Sequence, residues 1–262
     1  MSSQRQSAEP NDQAITPTRR TNVERSESTR SKIIKAAIYC LRHYGYEGAS
    51  IYAVADHANI SKGAAQHQYP NKADLMFAVA EYGLKQQAKF RTQELVKIDA
   101  IEGIDWLYAA TDITWKLAKK PYYIALIEIS MATRNDKTLK KRFAVINKKI
   151  DSLYEQGINV VANRLGLEAG EELNGLAQMR NTMLRGLAVG LMYSHNPKGL
   201  KEGFESWKQC ERLLMENIIA NQSDNQQDNH QENQQDNQAG NHLRNPSPNP
   251  SKASLQKLVT SL

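Results

Sequence analysis

Cysteine is nearly missing from this 262-residue chain, which holds Cys40 and Cys210 alone. Far apart and set in helical patterns, they make no disulfide framework, and both are expected in or beside the core. Long apolar runs are also missing. The most apolar stretch, "YYIALIEISM" at 122–131, is too short to cross a bilayer and contains Glu128. "MSSQRQSAEPND" lacks the apolar centre of a secretory signal. The chain therefore reads as soluble and cytoplasmic, with no membrane partner. There is no HExxH zinc motif, phosphate-cradling glycine loop or recognisable nucleophile motif. No catalytic residue, metal or cofactor is expected, and a helical enzyme acting on a small apolar substrate has no chemical support.

What the chain does have is positive charge: +6 formally, with a pI near 9.1. A polyanionic partner suits that balance, whether nucleic acid or an anionic membrane surface. A helical protein that binds membrane surfaces or partners through a basic arm and tail is the alternative class.

Residues 1–27 are rich in Ser, Thr, Gln, Asn and Arg, too polar to offset the entropy of ordering. They are expected to form a disordered arm, with Arg19, Arg20 and Arg25 either solvated or laid against phosphates. From 28 to 220 the pattern is helical. Ile33, Ile34, Ala37, Ile38, Leu41 and Tyr44 recur at the 3.6 period, and Gly45 ends that helix. A short helix follows Ser50, a long one spans 71–98, and periodic segments cover 102–119, 121–134, 136–164, 169–195 and 199–220. No alternating β-branched run competes, so the fold class is all-α. From Asn221 an Asn/Gln-rich four-residue repeat takes over, with nothing to bury. The tail 221–262 is expected to be disordered, with Leu255, Leu258, Val259 and Leu262 as a frayed end.

"SKGAAQHQYPNKADL", residues 61–75, contains an electrostatic oddity. Ser61 and Asn71 both read as helix N-caps, and each is followed by a lysine, Lys62 and Lys72. A cation at a helix N-terminus is disfavoured by roughly 0.3–1 kcal/mol, whereas an anion there is favoured. The spacing predicts two short helices, a tight turn at "HANI" and a stop at Pro70, which pushes its predecessor out of the α region. With the preceding helix as a clamp, this is a helix-turn-helix, whose second helix enters the major groove. Two lysines at dipole-disfavoured sites then become phosphate ligands flanking that groove.

"RSKIIKAAIYCLRHYGYEGASIYAVADHANISKGAAQHQYPNKADLM" resembles the DNA-binding domain of the TetR/AcrR regulators. The shared features are an amphipathic first helix ending in Gly, a Ser cap, a Ser-Lys-Gly start to the recognition helix, and a His-x-aromatic-Pro-Asn-Lys close. The resemblance covers about Arg30 to Lys89. It implies a DNA-binding domain at 28–75, joined by the helix at 71–98 to an effector-binding and dimerisation domain at 99–220. It also implies a homodimeric repressor of a palindromic double-stranded DNA operator, released by an unknown small-molecule effector.

Carried over residue by residue, the resemblance sets Ser50 on the DNA backbone and Ser61, Lys62, Gly63 and Ala64 at the groove. His67 and Tyr69 would approach sugar-phosphate, though Tyr69 reads more readily as a packed residue; Gln68 is a further DNA-binding candidate, and Lys72 would hold a phosphate. Ala65 and Gln66 depart from the commoner pattern of a larger apolar residue and a tyrosine. Gln66 can instead read adenine bidentately.

In the larger part, "EISMATRNDKTLKKRF" also resembles a stretch of these regulators. Trp106, Tyr108, Trp115, Tyr122, Tyr123 and Met131 are candidates for the effector pocket, beside the alternative that they are core. Leu184, Leu187, Leu191, Trp207 and Leu214, with Gly186 and Gly190 allowing close approach, are candidates for the dimer interface.

Overall fold

Side-chain caps and glycine breaks set the limits of several helices of this protein. The computed structural model describes residues 22–239, with side chains over 24–224, and among them it has nine helices and no strand. The first helix, α1 (Asn22–Gly48), is interrupted at Gly45, whose φ of 66° and ψ of −176° suit glycine alone. α2 (Ile51–Ala58) is capped by Ser50 Oγ, which accepts the Ala53 amide at 3.1 Å. Asn59 ends it in the left-handed region, and the Ile60 amide turns back to the Ala55 carbonyl. α3 (Lys62–Gln68) is capped by Ser61 and α4 (Lys72–Lys97) by Asn71.

Beyond α4 come α5 (Gly103–Ala118), α6 (Pro121–Ala132), α7 (Lys137–Leu165), α8 (Glu171–Tyr193) and α9 (Pro197–Ala239). Proline opens α6, where its missing N–H costs nothing. Asp136 caps α7.

Two limits differ from expectation. Asn22–Glu27 is helical rather than part of a disordered arm. The first turns are anchored by Gln68 Nε2, which donates to Ser26 Oγ at 3.0 Å. At the other end α9 runs on to Ala239, through more than half of the Asn/Gln repeat. Gln222 exchanges hydrogen bonds with the Glu168 backbone at 2.8 and 3.1 Å. Beyond it, adding residues to an existing helix avoids the cost of nucleation. Residues 1–21 and 240–262, including Arg19, Arg20 and the last leucines, lie outside the described residues. Cys40 is buried as expected, but Cys210 is exposed.

The packing ties the N-terminal helices to the rest of the protein. One hydrophobic cluster runs from Ile33, Leu41 and Val54 through Leu75 and Met76 to Ala125, Ile129, Phe143 and Ile146. α1–α3 therefore share a core with α4, α6 and α7. Gly83 of α4 eases the approach to α6, because a Cβ there would lie 3.3 Å from the Tyr122 carbonyl oxygen, a tight contact. Two further clusters, around Trp106 and around the Trp115–Phe204 stack, hold α5 against α8 and α9.

Candidate functional site

The turn between α2 and α3 presents one face of α3 to solvent. Ser61 Oγ accepts the Ala64 amide at 3.2 Å, fixing the first turn. Lys62, Gly63, Ala64, Gln66 and His67 are exposed, while Ala65 is buried against the core as the foot of the helix. A Cβ on Gly63 would meet nothing within 4 Å, so the backbone there is open to a close approach. No acidic residue occurs within α3. The Lys62 ammonium stands 5.4 Å from the ring centre of Tyr52, itself an exposed aromatic of α2.

Three other candidates are differently placed. Gln68 is half-buried and engaged with Ser26. Tyr69 is 5% exposed and belongs to the core cluster, and its buried hydroxyl has no hydrogen-bond partner. It packs, and the sugar-phosphate contact suggested for it has no exposed surface to use. Lys72 is half-buried too. Its ammonium donates to the Tyr46 carbonyl at 2.6 Å and lies 3.9 Å from the centre of the Tyr46 ring. Burial lowers its pKa, opposed by the carboxylates of Glu47 and Asp136.

Lys72 thus belongs to a junction between α1, α4, α6 and α7. The Tyr46 hydroxyl donates to Asp136 Oδ2 at 3.0 Å, while Asp136 Oδ1 accepts the Leu139 amide at 2.8 Å. These bonds, with the nearby Lys72, hold the Asp136 carboxyl below its usual range, the Leu139 amide contributing most. Burial and the Asp136 carboxylate push the Tyr46 phenol well above its ordinary value. Glu128 of α6 faces Gly45 and accepts from the Tyr46 backbone, yet burial raises its pKa. The break at Gly45 is what presents the Tyr46 amide and carbonyl to these two charges.

Beneath the junction, α4–α8 enclose a cavity of about 290 Å³, at the low end for a small-molecule site. Leu84, Leu126, Ile127 and Leu184 line it alongside Gln87, Arg91 and Tyr154. A second lobe of about 120 Å³, shared through Gln87, Arg91, Thr114, Leu153, Tyr154 and Asn181, reaches towards Trp106. Of the effector-pocket candidates, Tyr123 and Met131 line the main lobe and Trp106 the second. Tyr108, Trp115 and Tyr122 line neither. Tyr108 is half-buried, with the Lys208 ammonium 4.0 Å from its ring centre; Trp115 stacks on Phe204, and Tyr122 packs beside Gly83.

Leu184 lines the cavity and is 1% exposed, so it is core rather than a surface for a second subunit. Leu187 and Leu191 pack partly against the cluster around Trp115, and Trp207 against the one around Trp106. Leu214 is 41% exposed, and its neighbour Leu213, absent from the sequence candidates, is 67% exposed. With Met179 and Tyr193 of α8 they are the large apolar side chains that α8 and α9 leave open to solvent among the described residues. A stripe of apolar residues reads the same whether it meets its own core or another chain, which is why the sequence misassigned Leu184.

Residues 33–79 match the family model of bacterial regulatory proteins, tetR family. Over 84 residues the chain is 37% identical to the HTH-type transcriptional regulator CymR of Pseudomonas putida, covering 32% of this chain and 41% of that one. The chain thus spans less than half the length of that relative. To the HTH-type transcriptional repressor AcnR of Corynebacterium jeikeium it is 28% identical over 160 residues, 58% of this chain and 82% of the relative. Among solved structures, Salmonella enterica GusR superposes with a TM-score of 0.55 at 16% identity, over 74% of this chain and 96% of that one. A transcriptional regulator from Rhodococcus sp. Rha1 gives 0.54 at 18% identity, over 73% and 96%. At such identities the likeness is one of fold.

Proposed function

We propose that this chain, a TetR-family transcriptional regulator with a helix-turn-helix DNA-binding domain, acts as a homodimeric repressor released from a palindromic operator by a small-molecule effector. It is a regulator rather than an enzyme, like the relatives it matches. Among the described residues no helix is long and apolar enough to cross a membrane.

The observation that carries the proposal is the open face of α3. Lys62, Gly63, Ala64, Gln66 and His67 are exposed together on a helix without acidic residues, and its first turn is fixed by Ser61. In the groove Lys62 meets a phosphate, Gly63 and Ala64 let the backbone approach, and Gln66 offers an amide to adenine N6 and N7. Ser50 serves the backbone through the start of α2. A two-fold pair of such helices, about 34 Å apart, meets successive major grooves. The exposed Leu213 and Leu214 of α9 and Met179 of α8 supply apolar surface for that pairing.

Release follows from shared walls. Met131 lines both the cavity and the junction around Lys72, and α4 runs from that junction to Gln87 and Arg91. A ligand favouring one spacing of α4 and α6 shifts Tyr46 and the end of α1, by as much as its affinities for the two states differ.

Footprinting of the full chain on DNA upstream of its own coding sequence tests the reading. A protected, two-fold symmetric site is the expected result; DNA binding without sequence preference at physiological salt would overturn it.

A further inference from the structure

We propose that the effector is an organic anion, a monocarboxylate with an apolar body, whose charge is received by Arg91. This rests on the effector reading of the cavity and adds its chemical class.

The guanidinium of Arg91 sits where the two lobes meet and lines both. Its Nε is shielded from solvent and bonded to nothing, and no hydrogen bond or ion pair engages Arg91 among the described residues. Gln87, one turn earlier on α4, is 7% exposed and leaves its Nε2 equally unpartnered. The acceptors elsewhere in this part of the core face other cations. The Tyr154 hydroxyl accepts from Arg185. Glu211 faces Arg180 at 3.6 Å and accepts from Thr111 Oγ1 at 2.6 Å. No Asp or Glu lines either lobe; of the other cations, Arg185 lines the main lobe and donates to Tyr154, and Arg180 lines the second and faces Glu211, which leaves Arg91 as the one without a partner among the described residues.

A guanidinium keeps its proton at any ordinary pH. Half-buried, with its Nε shielded from solvent and no counter-charge, it is costly, so a residue of this kind implies a partner that arrives from outside. A carboxylate satisfies it with paired hydrogen bonds, and the Gln87 amide adds a third donor. The rest of the lining fixes the rest of the ligand. Leu84, Leu126, Ile127 and Leu184 accept an apolar body, and about 290 Å³ limits it to a small one. A cationic or neutral effector would leave Arg91 unpaired.

The test uses the purified full chain and matched probes: octanoate against octanamide, 3-phenylpropanoate against 3-phenylpropanamide, and octyltrimethylammonium. Binding is measured by calorimetry and read out on operator DNA by gel shift. The acids are expected to bind on the order of tenfold or more tighter than their amides. Arg91→Met should remove that preference and Arg91→Lys keep part of it. Independently of any ligand, Arg91→Met should raise the melting temperature of the free protein, since an uncompensated, half-buried charge is removed.

Equal binding of acid and amide, preference for the cation, no saturable binding of either acid, or a lower melting temperature for Arg91→Met would each overturn the assignment. Acid binding through Arg91 that leaves operator affinity unchanged supports the assignment and counts instead against the effector reading.

Discussion

The ammonium of Lys72 lies 2.6 Å from the carbonyl oxygen of Tyr46 and 3.9 Å from the centre of that residue's ring. Lys72 occupies the first position of α4, where the helix dipole repels it. The carbonyl exposed by the break at Gly45, the Glu47 and Asp136 carboxylates and Asp74 in the first turn offset that repulsion. Lys62 stands at the same position of α3 and, among the described residues, has no such set of partners, only the Tyr52 ring at 5.4 Å. The two lysines that look alike in sequence are therefore doing different things. Lys62 is open to solvent, while Lys72 fastens the end of α1 to α4 and the start of α7.

Removing the fastening should cost stability. Lys72→Met removes the charged donor from the half-buried Tyr46 carbonyl, which keeps the Ala49 amide at 3.2 Å, and should destabilise by about 1 kcal/mol. Tyr46→Phe, which loses the bond to Asp136, should cost about 1 kcal/mol. Urea titrations measure both, and wild-type midpoints for the pair would show the junction to be incidental.

The two acids of the junction should respond oppositely to pH. Burial raises the Glu128 pKa, so its folded form holds a proton that the unfolded chain releases above about 4.3. Its contribution is complete below that pH and disappears as pH rises through the folded value. Glu128→Gln should therefore stabilise the protein at neutral pH and make little difference in acid. Asp136 is depressed, so its contribution is present above about 3.9 and lost as pH falls through its lower folded value. Melting temperatures of the two variants, Glu128→Gln and Asp136→Asn, from pH 3 to 7 check the signs; parallel curves would contradict them.

Base reading is assigned to Gln66. Gln66→Ala should lose about 1–3 kcal/mol on the operator and almost nothing on random DNA. Equal losses on both would remove Gln66 from recognition.

The leucines of α8 and α9 separate into two classes. Leu184→Ala opens a cavity in the core and should cost about 2–5 kcal/mol of stability. Leu213→Glu, at an exposed position, should leave the fold intact and yield monomers in sedimentation experiments, with operator binding lost. A dimeric Leu213→Glu protein would place the interface elsewhere.

Much of the fold is legible in sequence because it is local. The periodic Ile33–Tyr44 stripe, the Ser50, Ser61 and Asn71 caps and the Pro70 stop are each set by a few neighbouring residues, and apart from the start of α1 and the end of α9 the helices lie within a few residues of their expected places. The misses are non-local. Asn22–Glu27 has no apolar stripe and is anchored through Ser26 to Gln68, 42 residues away. Lys72 looks free in sequence because Tyr46 and Asp136 reach it only in the fold. Arg91 does carry one sequence signal: it falls on the Leu84–Ala88–Leu95 stripe of α4, where a charge is out of place on a buried face.

The most direct measurement is the salt dependence of operator affinity for Lys62→Ala beside Lys72→Ala. Removing one phosphate interaction lowers the slope of log K against log salt by about 0.9, so a dimer deprived of two should fall by about 2. The expected result is that fall for Lys62→Ala and an unchanged slope for Lys72→Ala, whose defect appears in stability and in the response to ligand. An unchanged slope for Lys62→Ala, or an equal fall for both, would contradict the division of labour between the two lysines.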